Sequence, residues 1–398
     1  MASSANPPAE NTYSLTAIPL TELPGLLIYA PHLLPMGQNY VHEHAVRMER
    51  YRPVFAGRRR VEGISISDFP SLTLDDGGSS PFRELRYMLT GSDARLTAFI
   101  AMHRVRLIHA HFGPGAAEIM PIAARLKIPL VVTFHGWDLK VHGEAKTFVS
   151  PYEQLYRWRL PRLLRQASEI ICVSRNWHER ILTFGCKAEK VQTNYLGIDS
   201  KFFDGNRGAF DPLSIIYVGR LIRRKGVHTL LEALRILRDR GVQAKLTIVG
   251  DGPEADKLKA VSAENDLPVN FVGKKSPAEI RELLRQTAVL CAPSTTAERE
   301  MAEALGLVLL EAQAMGVPVV GTRNGGIPET FEDGQTGFLV DQESAPGLAD
   351  ALAKLLGNGS VNRAFGTRAR ALICERFDIA RSHDSLELLY DRILARGR

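Results

Sequence analysis

The second half of the chain alternates short apolar runs with longer stretches whose apolar positions recur every three or four residues. Apolar runs of this kind are typical of strands in a parallel sheet that is covered on both faces. The longer stretches are typical of amphipathic helices of about three turns. From residue 214 onward we therefore predict alternating strands and helices, with the strands SIIYVG, KLTIVG, VLCAP and VPVVG.

The first half repeats this alternation less regularly. We predict strands at LLIYA, VRLIHAHF, PLVVTFHG and EIICVS, with helices between them. The polar stretch KFFDGNRGAFDP interrupts the pattern and predicts a linker between two domains. The expected organisation is a disordered tail over residues 1–22, an α/β domain over 23–203, a second α/β domain over 204–378, and a last helix over 379–398.

Length and composition fit this division. A chain of 398 residues exceeds what one ordinary core supports, and its 45% hydrophobic and 24% charged residues are typical of a globular protein. We expect no membrane-spanning helix, which needs roughly 20 apolar residues, and no secretory signal. The four cysteines share no CxxC spacing, which argues against a metal site or disulfide framework and favours the cytoplasm.

Loops that follow the predicted strands carry the chemically distinctive residues, and ligands of parallel α/β sheets bind at these strand ends. The motif GRLIRRKG, at residues 219–226, places Arg220 and Lys225 where they could neutralise a diphosphate. A solvated basic turn is the alternative.

The motif AEALGLVLLEAQAMG contains two carboxylates: Glu303 precedes a predicted helix, and Glu311 lies one turn inside that helix. The N-terminus of the helix could hold phosphate, and the two carboxylates could bind hydroxyl groups. Alternatively, both are ordinary surface carboxylates of a helix.

Two further strand ends are candidates. His135, in TFHGWDL, follows a strand of the first domain and is expected to face the motifs of the second, although a single histidine there can also be structural. The glycines of GDGPE and TRNGGIPE suit a close approach of backbone to ligand. Neither GxGxxG after the first strand nor GxxxxGK[ST] occurs, which argues against dinucleotide-binding and P-loop proteins.

Together these motifs resemble the large retaining family of GT-B glycosyltransferases that carry an E-x7-E pair, glycosyltransferase family 4. The resemblance runs from about residue 26 to 356 and rests, in the family's order, on HAHFGP, VVTFHG, ICVS, VGRL with RRKG, IVGDGP, the Glu303/Glu311 pair and GGIPE. The first half is most similar to enzymes of colanic acid type. The implied fold is GT-B, α/β, with two Rossmann-like domains facing each other across a cleft and a C-terminal helix packing back on the N-terminal domain.

The resemblance also implies residue roles. The implied catalytic residues are His135, Glu303, Arg220 and Lys225, the last two stabilising the leaving diphosphate in place of a metal. Glu303 would hold hydroxyls of the donor sugar, Glu311 the ribose, and Lys274 the base. The implied donor-binding set is Gly37, Gly219, Arg220, Lys225, Gly250, Lys274, Gly306, Leu307 and Glu311. No cofactor and no metal are expected.

The implied reaction is retaining transfer of a hexose from a UDP- or GDP-sugar to a sugar hydroxyl of a growing, lipid-linked exopolysaccharide or lipopolysaccharide oligosaccharide, in the cytoplasm. The family's usual Glu-Gly-Phe-Gly is replaced here by Glu-Ala-Leu-Gly at 303–306, and Gln38 stands where relatives often have Glu. Both departures bear on donor choice. The donor base and sugar, the acceptor, the linkage and the oligomeric state stay open.

Two other functions remain open. A nucleotide-sugar 2-epimerase shares the fold but lacks the Arg-Lys pair with E-x7-E. A basic module that binds nucleic acid or membrane would fit the net charge of +6, but no nucleic-acid motif is present. Residues 155–166, LYRWRLPRLLRQ, and the arginine cluster at 58–60 favour a peripheral enzyme on the inner face of the membrane. There the leucines of 155–166 would enter the headgroup layer; the alternative is a core helix with solvated arginines.

Overall fold

The structure is a computed structural model that describes residues 23–33, 35, 38–76, 78, 80–139, 150–296 and 302–396. Within these residues the chain forms two units, each built on a wholly parallel β-sheet with a hydrophobic core on either face. Successive side chains of one strand enter opposite cores, so that Leu26 and Ile28 pack on one face while Leu27 and Tyr29 pack on the other. This two-sided burial explains the nearly continuous apolar runs.

Among its described residues, the first unit contains seven strands and six α-helices. Its strands are β1 (Gly25–Leu33), β2 (Arg52–Arg60), β3 (Ser71–Thr73), β4 (Val105–His111), β5 (Leu130–Phe134), β6 (Glu169–Cys172) and β7 (Val191–Thr193), in the order β3-β2-β1-β4-β5-β6-β7. Its helices are α1 (Asn39–Val46), α2 (Pro81–Thr90), α3 (Ala94–Met102), α4 (Gly113–Leu126), α5 (Pro151–Gln166) and α6 (Arg175–Leu182).

In its described part, the second unit contains six strands and six α-helices. Its strands are β8 (Ser214–Val218), β9 (Lys245–Val249), β10 (Val269–Gly273), β11 (Val289–Ala292), β12 (Val319–Thr322) and β13 (Gly337–Val340), in the order β10-β9-β8-β11-β12-β13. Its helices are α7 (Val227–Asp239), α8 (Ala255–Glu264), α9 (Pro277–Arg285), α10 (Leu307–Ala314), α11 (Ala345–Leu355) and α12 (Gly359–Arg376). Because the strand order reverses between β8 and β11, the loops after these strands diverge and leave a crevice.

The last helix, α13 (Ile379–Arg396), returns to the first unit. It begins beside Ile198, which forms a β-bridge with Asp378. Leu386, Leu389 and Ile393 then pack in the core between α13 and the first sheet. This return confirms the predicted packing of the C-terminal helix on the N-terminal domain.

The two units meet through the loops at the carboxyl ends of their strands. The indole N–H of Trp177 donates to the carbonyl oxygen of Glu303 across the interface, over 3.2 Å. The carboxylate of Glu329 accepts hydrogen bonds from the backbone N–H groups of Arg175 and Asn176, at 2.8 and 2.9 Å. These two residues open α6, so a carboxylate of the second unit caps a helix of the first. The two-domain fold with a cleft between strand ends is thereby confirmed.

Both basic segments that the sequence assigned to a membrane place part of their side chains inside the fold. The leucines of α5 at 160, 163 and 164 are buried in the core of the first unit, so their predicted insertion into a headgroup layer is wrong. Pro161 lies inside α5 without ending it.

The arginine cluster at 58–60 forms ion pairs within the first unit. Arg58 is buried against Glu118. Arg59 pairs with Glu84, and Arg60 pairs with Asp76. These arginines are neutralised within the fold.

Replacing Glu329 with Gln tests the contact between the units. The neutral amide loses two charge-assisted hydrogen bonds and a favourable interaction with the α6 dipole, which together contribute about 1 to 2 kcal/mol. We expect the Tm to fall by about 2 to 4 °C and the radius of gyration measured by small-angle scattering to increase. The control is Glu332→Gln, which removes an exposed ion pair with Arg376 and should change neither quantity. An unchanged Tm for Glu329→Gln would contradict the capping role.

Candidate active site

The loop after β8 places Lys225 against the segment that leads into α10. A 3₁₀ turn over Arg223–Lys225 follows the strand, and Gly226 then starts α7. The Nζ atom of Lys225 lies 2.6 Å from Oε1 of Glu303, and one nitrogen of the Arg224 guanidinium lies 3.5 Å from the same oxygen. Arg220 is exposed at the start of this loop and forms no ion pair with a described residue. The sequence-predicted residues Lys225 and Glu303 are therefore in direct contact.

Glu303 is buried and tightly held. The Ser294 hydroxyl donates to its Oε1 over 2.9 Å, its backbone N–H donates to Oδ1 of Asn324 over 2.6 Å, and its carbonyl oxygen accepts from Gly326 N–H. Burial alone would raise the pKa of the Glu303 carboxyl, but Lys225 and then Arg224 outweigh it and hold that pKa below its usual value. Glu303 is thus an ionised acceptor at neutral pH.

Among the residues that the structure describes, none caps the N-terminus of α10 with its side chain. Gly306 occupies the cap position with a φ of +95°, a conformation that few other residues adopt, and no side chain of a described residue accepts from the first turn. Leu307 is the first helical residue, and no acidic residue lies in that turn. The backbone N–H groups of this turn, with the positive end of the helix dipole, form a site that suits a phosphate.

Glu311 lies inside α10, one turn after this N-terminus, and is half-buried. Within the described residues its carboxylate has neither a cation nor a hydrogen-bond donor as a partner. Burial therefore raises the pKa of Glu311 to about 7. A ligand whose hydroxyl groups donate to this carboxylate would stabilise its ionised form.

His135 follows β5 on the first unit and is buried. Its Nε2 lies 3.0 Å from Nδ1 of His111, its ring packs against those of Tyr40 and Phe112, and its Nδ1 has no hydrogen-bond partner among the described residues. Burial, and then the neighbouring His111, lower the pKa of His135 well below its usual value. His135 is therefore neutral, with one ring nitrogen left for a ligand.

The loops that carry His135 and Glu303 approach each other across the cleft. A Cβ atom placed on Gly136 would lie 3.1 Å from the Cβ of Ala304 and 3.2 Å from the Trp177 ring. His135 and the Lys225–Glu303 pair thus belong to adjoining walls of one site. Ala304, which replaces the family's usual glycine, fits there because Gly136 has no side chain.

The remaining predicted residues that the structure describes lie at or beyond the edge of this site. Gly250 packs so closely on the β8 loop, at a φ of +132°, that an added Cβ would lie 1.9 Å from the carbonyl oxygen of Gly219. Lys274 follows β10, two strands away from β8, and its Nζ lies 4.0 Å from an oxygen of Asp251. Gly37 lies outside the described residues.

Sequence reasoning missed several residues that hold this site. Asp138 is buried beneath the His135 loop, where its Oδ2 accepts from the N–H groups of Gly113 and His135. Burial raises the pKa of Asp138 to about 6. The motif HAHF contained a usable signal for His111, because histidines two apart on a strand share one face of the sheet. No sequence pattern indicated Trp177 or Asn324.

The described parts of the chain contain no cluster of three or more His, Cys, Asp or Glu residues that could hold a metal ion. The chemistry available consists of three cationic side chains, a helix N-terminus, carboxyl groups and a neutral imidazole. This set suits a polyhydroxylated ligand that carries phosphate.

Family models match both halves of the chain. The model described as "Glycosyl transferases group 1" matches residues 201–372, and the model described as "Glycosyltransferase Family 4" matches residues 54–202. The site loops of the second unit all fall within the first match, and His135 falls within the second.

Similar proteins include two bacterial enzymes of polysaccharide synthesis. The amylovoran biosynthesis glycosyltransferase AmsK of Erwinia amylovora is 31% identical over 71% of this chain and 70% of its own length. The putative colanic acid biosynthesis glycosyltransferase WcaL of Escherichia coli is 31% identical over 63% of this chain. The match spans 61% of WcaL, less than two thirds of its length.

Solved structures with the same fold cover nearly the whole chain. Anabaena HepE in complex with UDP superposes with a TM-score of 0.74 at 19% identity, covering 93% of this chain and all of that one. Sucrose-phosphate synthase from Thermosynechococcus elongatus gives 0.75 at 21% identity, covering 94% and 100%. These likenesses confirm the predicted GT-B fold.

The raised pKa of Glu311 predicts a pH dependence of stability. The folded protein holds the proton of this carboxyl up to about pH 7, whereas the unfolded chain releases it near the usual value of 4.5. The resulting stabilisation is complete below pH 4.5 and is lost as the pH rises through 7. Compared with the parent, Glu311→Gln should have the same Tm at pH 4.5 and a Tm a few degrees higher at pH 8. A difference in Tm that is independent of pH would contradict the burial of this charge.

Proposed function

Because the chain belongs to the group 1 glycosyltransferases, with a family 4 first domain, we propose that it is a retaining hexosyltransferase of polysaccharide assembly. The proposed donor is a UDP- or GDP-hexose. The proposed acceptor is a sugar hydroxyl of a growing, lipid-linked exopolysaccharide or lipopolysaccharide oligosaccharide. Similarity to the amylovoran and colanic acid enzymes supports the polysaccharide assignment, and the complex of HepE with UDP supports a nucleotide-sugar donor.

One observation carries the proposal: the Lys225–Glu303 pair lies beside the uncapped N-terminus of α10 and adjoins His135 across the cleft. A nucleotide sugar presents a diphosphate between two sets of hydroxyl groups. The pair offers a cation and an ionised carboxylate within one hydrogen-bond length, so it can bind phosphate and hydroxyl on adjacent parts of the same ligand.

Lys225, Arg220 and the first-turn N–H groups of α10 would bind the donor diphosphate. Negative charge accumulates on this diphosphate as the bond to the sugar breaks, and fixed positive groups stabilise that charge more than the ground state. Gly306 and Leu307 supply backbone N–H groups, and the flexible Lys225 can turn from Glu303 toward phosphate. The same groups would take the place of a divalent metal.

Glu303 would accept hydrogen bonds from hydroxyls of the donor sugar, and Glu311 from those of the ribose. The fixed ionisation of Glu303 suits the sugar, whose hydroxyls donate to it at every pH near neutrality. Glu311 would become ionised when a nucleotide supplies donors to it, so nucleotide binding should release a proton near pH 7.

His135 would contact the sugar near the reacting carbon as a neutral group. Its ring is held on one side by His111, which leaves Nδ1 for a hydroxyl of the donor. The acceptor hydroxyl would attack from the face that the diphosphate leaves, forming the new glycosidic bond as the sugar–phosphate bond breaks. Its proton would pass to the departing phosphate oxygen, so no base from the protein is required.

We further propose that the enzyme works in the cytoplasm at the inner face of the membrane. Within the described residues, no helix is long and apolar enough to cross a bilayer. A lipid-linked acceptor nevertheless requires the enzyme to work at a membrane surface.

Replacing Lys225 with Ala removes the proposed cation at the diphosphate. We expect kcat to fall by about 100- to 1000-fold, the usual cost of one preorganised electrostatic donor. The matched control is Arg223→Ala, which removes an exposed cation of the same turn and should leave turnover within about two-fold of the parent. Equal losses for both variants would favour a general basic surface over a specific diphosphate site.

Turnover in EDTA tests the reaction and its metal independence together. With a UDP- or GDP-hexose and a lipid-linked oligosaccharide acceptor, we expect transfer to continue in EDTA at the parent rate. Complete inhibition that Mg²⁺ or Mn²⁺ reverses would refute metal independence.

Incubation of the donor without an acceptor tests the alternative function. We expect no new nucleotide sugar, whereas an epimerised nucleotide sugar would assign the site to a 2-epimerase.

A further inference from the structure

Helix α2 is amphipathic, but its apolar stripe faces the solvent, whereas the apolar side of most surface helices faces the core. Phe82, Leu85 and Leu89 recur at a spacing of three and four residues and are 78%, 51% and 58% exposed. Residues at this spacing lie on one side of a helix. They form a continuous outward stripe, whereas exposed large hydrophobic residues on most surfaces occur singly.

Polar contacts on the inner side fix this orientation of α2. Glu84 is buried and its carboxylate accepts from the guanidinium groups of Arg58 and Arg59. Tyr87 is also buried, and its hydroxyl donates to the Tyr29 hydroxyl over 3.1 Å. Rotating the apolar stripe inward would expose Tyr87 and break the Glu84 ion pairs, so the stripe is held outward by the core.

Helix α5 continues the same surface. The buried guanidinium of Arg159 donates to the carbonyl oxygen of Leu89 over 2.8 Å and so joins α5 to the end of α2. Trp158, the preceding residue, is 76% exposed. Phe82, Leu85, Leu89 and Trp158 make up four of the seven exposed large hydrophobic residues among those the structure describes. We call the outward sides of these two helices the α2–α5 face.

The charges of the α2–α5 face are basic. Arg86 lies within the apolar stripe of α2, and Arg162 and Arg165 follow Trp158 by one and two turns of α5. All three are exposed and none forms an ion pair with a described residue. The outward carboxylate described on these helices, Glu153, is hydrogen-bonded to Ser150 in the α5 capping box.

The α2–α5 face also begins at the cleft. Helices of a parallel α/β unit start at the carboxyl edge of the sheet, where His135 and the other site residues lie. Phe82 occupies the first turn of α2, and α5 extends about 24 Å from this edge at 1.5 Å per residue. A surface in contact with this face would therefore lie next to the cleft between the two units.

We propose that the α2–α5 face docks on an anionic lipid bilayer, with its four apolar side chains in the headgroup layer and its arginines on lipid phosphates. The inference rests on the proposed function, in which the acceptor is lipid-linked. Apolar groups interleaved with unpaired cations match the chemistry of an anionic membrane surface. A second copy of the chain fits less well, because a two-fold interface would bring the same arginines together.

Vesicle binding by the full chain tests the face. The probe is vesicles of phosphatidylcholine with 30% phosphatidylglycerol, compared with phosphatidylcholine alone, at low and high salt. We expect binding that requires phosphatidylglycerol, weakens in salt and falls at least ten-fold in the triple variant Phe82→Ser, Leu85→Ser, Leu89→Ser. The control is Leu388→Ser, which removes an exposed leucine of α13 and should bind vesicles as the parent does.

Quenching of tryptophan fluorescence by lipid supplies a second measurement, which is made on the parent protein with its α2–α5 face intact. Lipids with brominated acyl chains should quench part of the parent's fluorescence, and that part should disappear in Trp158→Phe. Quenching that persists in Trp158→Phe would overturn the proposal, and so would undiminished vesicle binding by the triple variant. A parent dimer that the triple variant loses would assign the face to a second copy and would also overturn it.

Sugar transfer to a soluble acceptor separates this proposal from the proposed function. The triple variant should retain parent activity there, because its substitutions lie outside the donor site. A parent that transfers sugar but does not bind vesicles would overturn the docking face alone. A parent that binds vesicles through this face but transfers no sugar would overturn the proposed function alone.

Discussion

The ion pair between Lys225 and Glu303 is the contact on which the candidate site depends. It joins the loops after β8 and β11 at the point where the strand order of the second sheet reverses, which is where open α/β sheets bind ligands. Burial by itself would favour the protonated form of Glu303. Lys225 keeps that carboxylate ionised, and the carboxylate in turn keeps a cation beside the free N-terminus of α10.

The sequence predicted the two-domain fold and most strand-end motifs because both follow from local patterns. Strands buried on two faces must be apolar throughout, and parallel strands must be joined by helices. The apolar runs alone therefore place the motifs around Lys225, Glu303 and His135 at strand ends. That Lys225 contacts Glu303 could not be predicted, because the contact depends on the 3₁₀ turn at 223–225 and on the Ser294 hydroxyl.

The periodicity of the sequence did not determine which side of a helix faces the core. In α5 the regular mixture of arginine and leucine fits either a membrane helix or a core helix, and the buried hydrogen bonds of Arg159 favour the core. In α2 the outward apolar stripe follows from the ion pairs of the buried Glu84 with Arg58 and Arg59, which lie 26 and 25 residues away on β2. Long-range ion pairs of this kind fix the rotation of a helix, and no local pattern encodes them.

The same residues that form the candidate site also join the two domains. The backbone of Glu303 accepts a hydrogen bond from Trp177 of the first domain, while its side chain contacts Lys225 of the second. Opening the cleft at this point would remove the Trp177 hydrogen bond from the backbone of Glu303, while Ser294 and Lys225 of the second domain would still contact its carboxylate. The contact between the two domains therefore ends on the residue that also forms the ion pair of the candidate site, which links the geometry of that site to the position of the first domain.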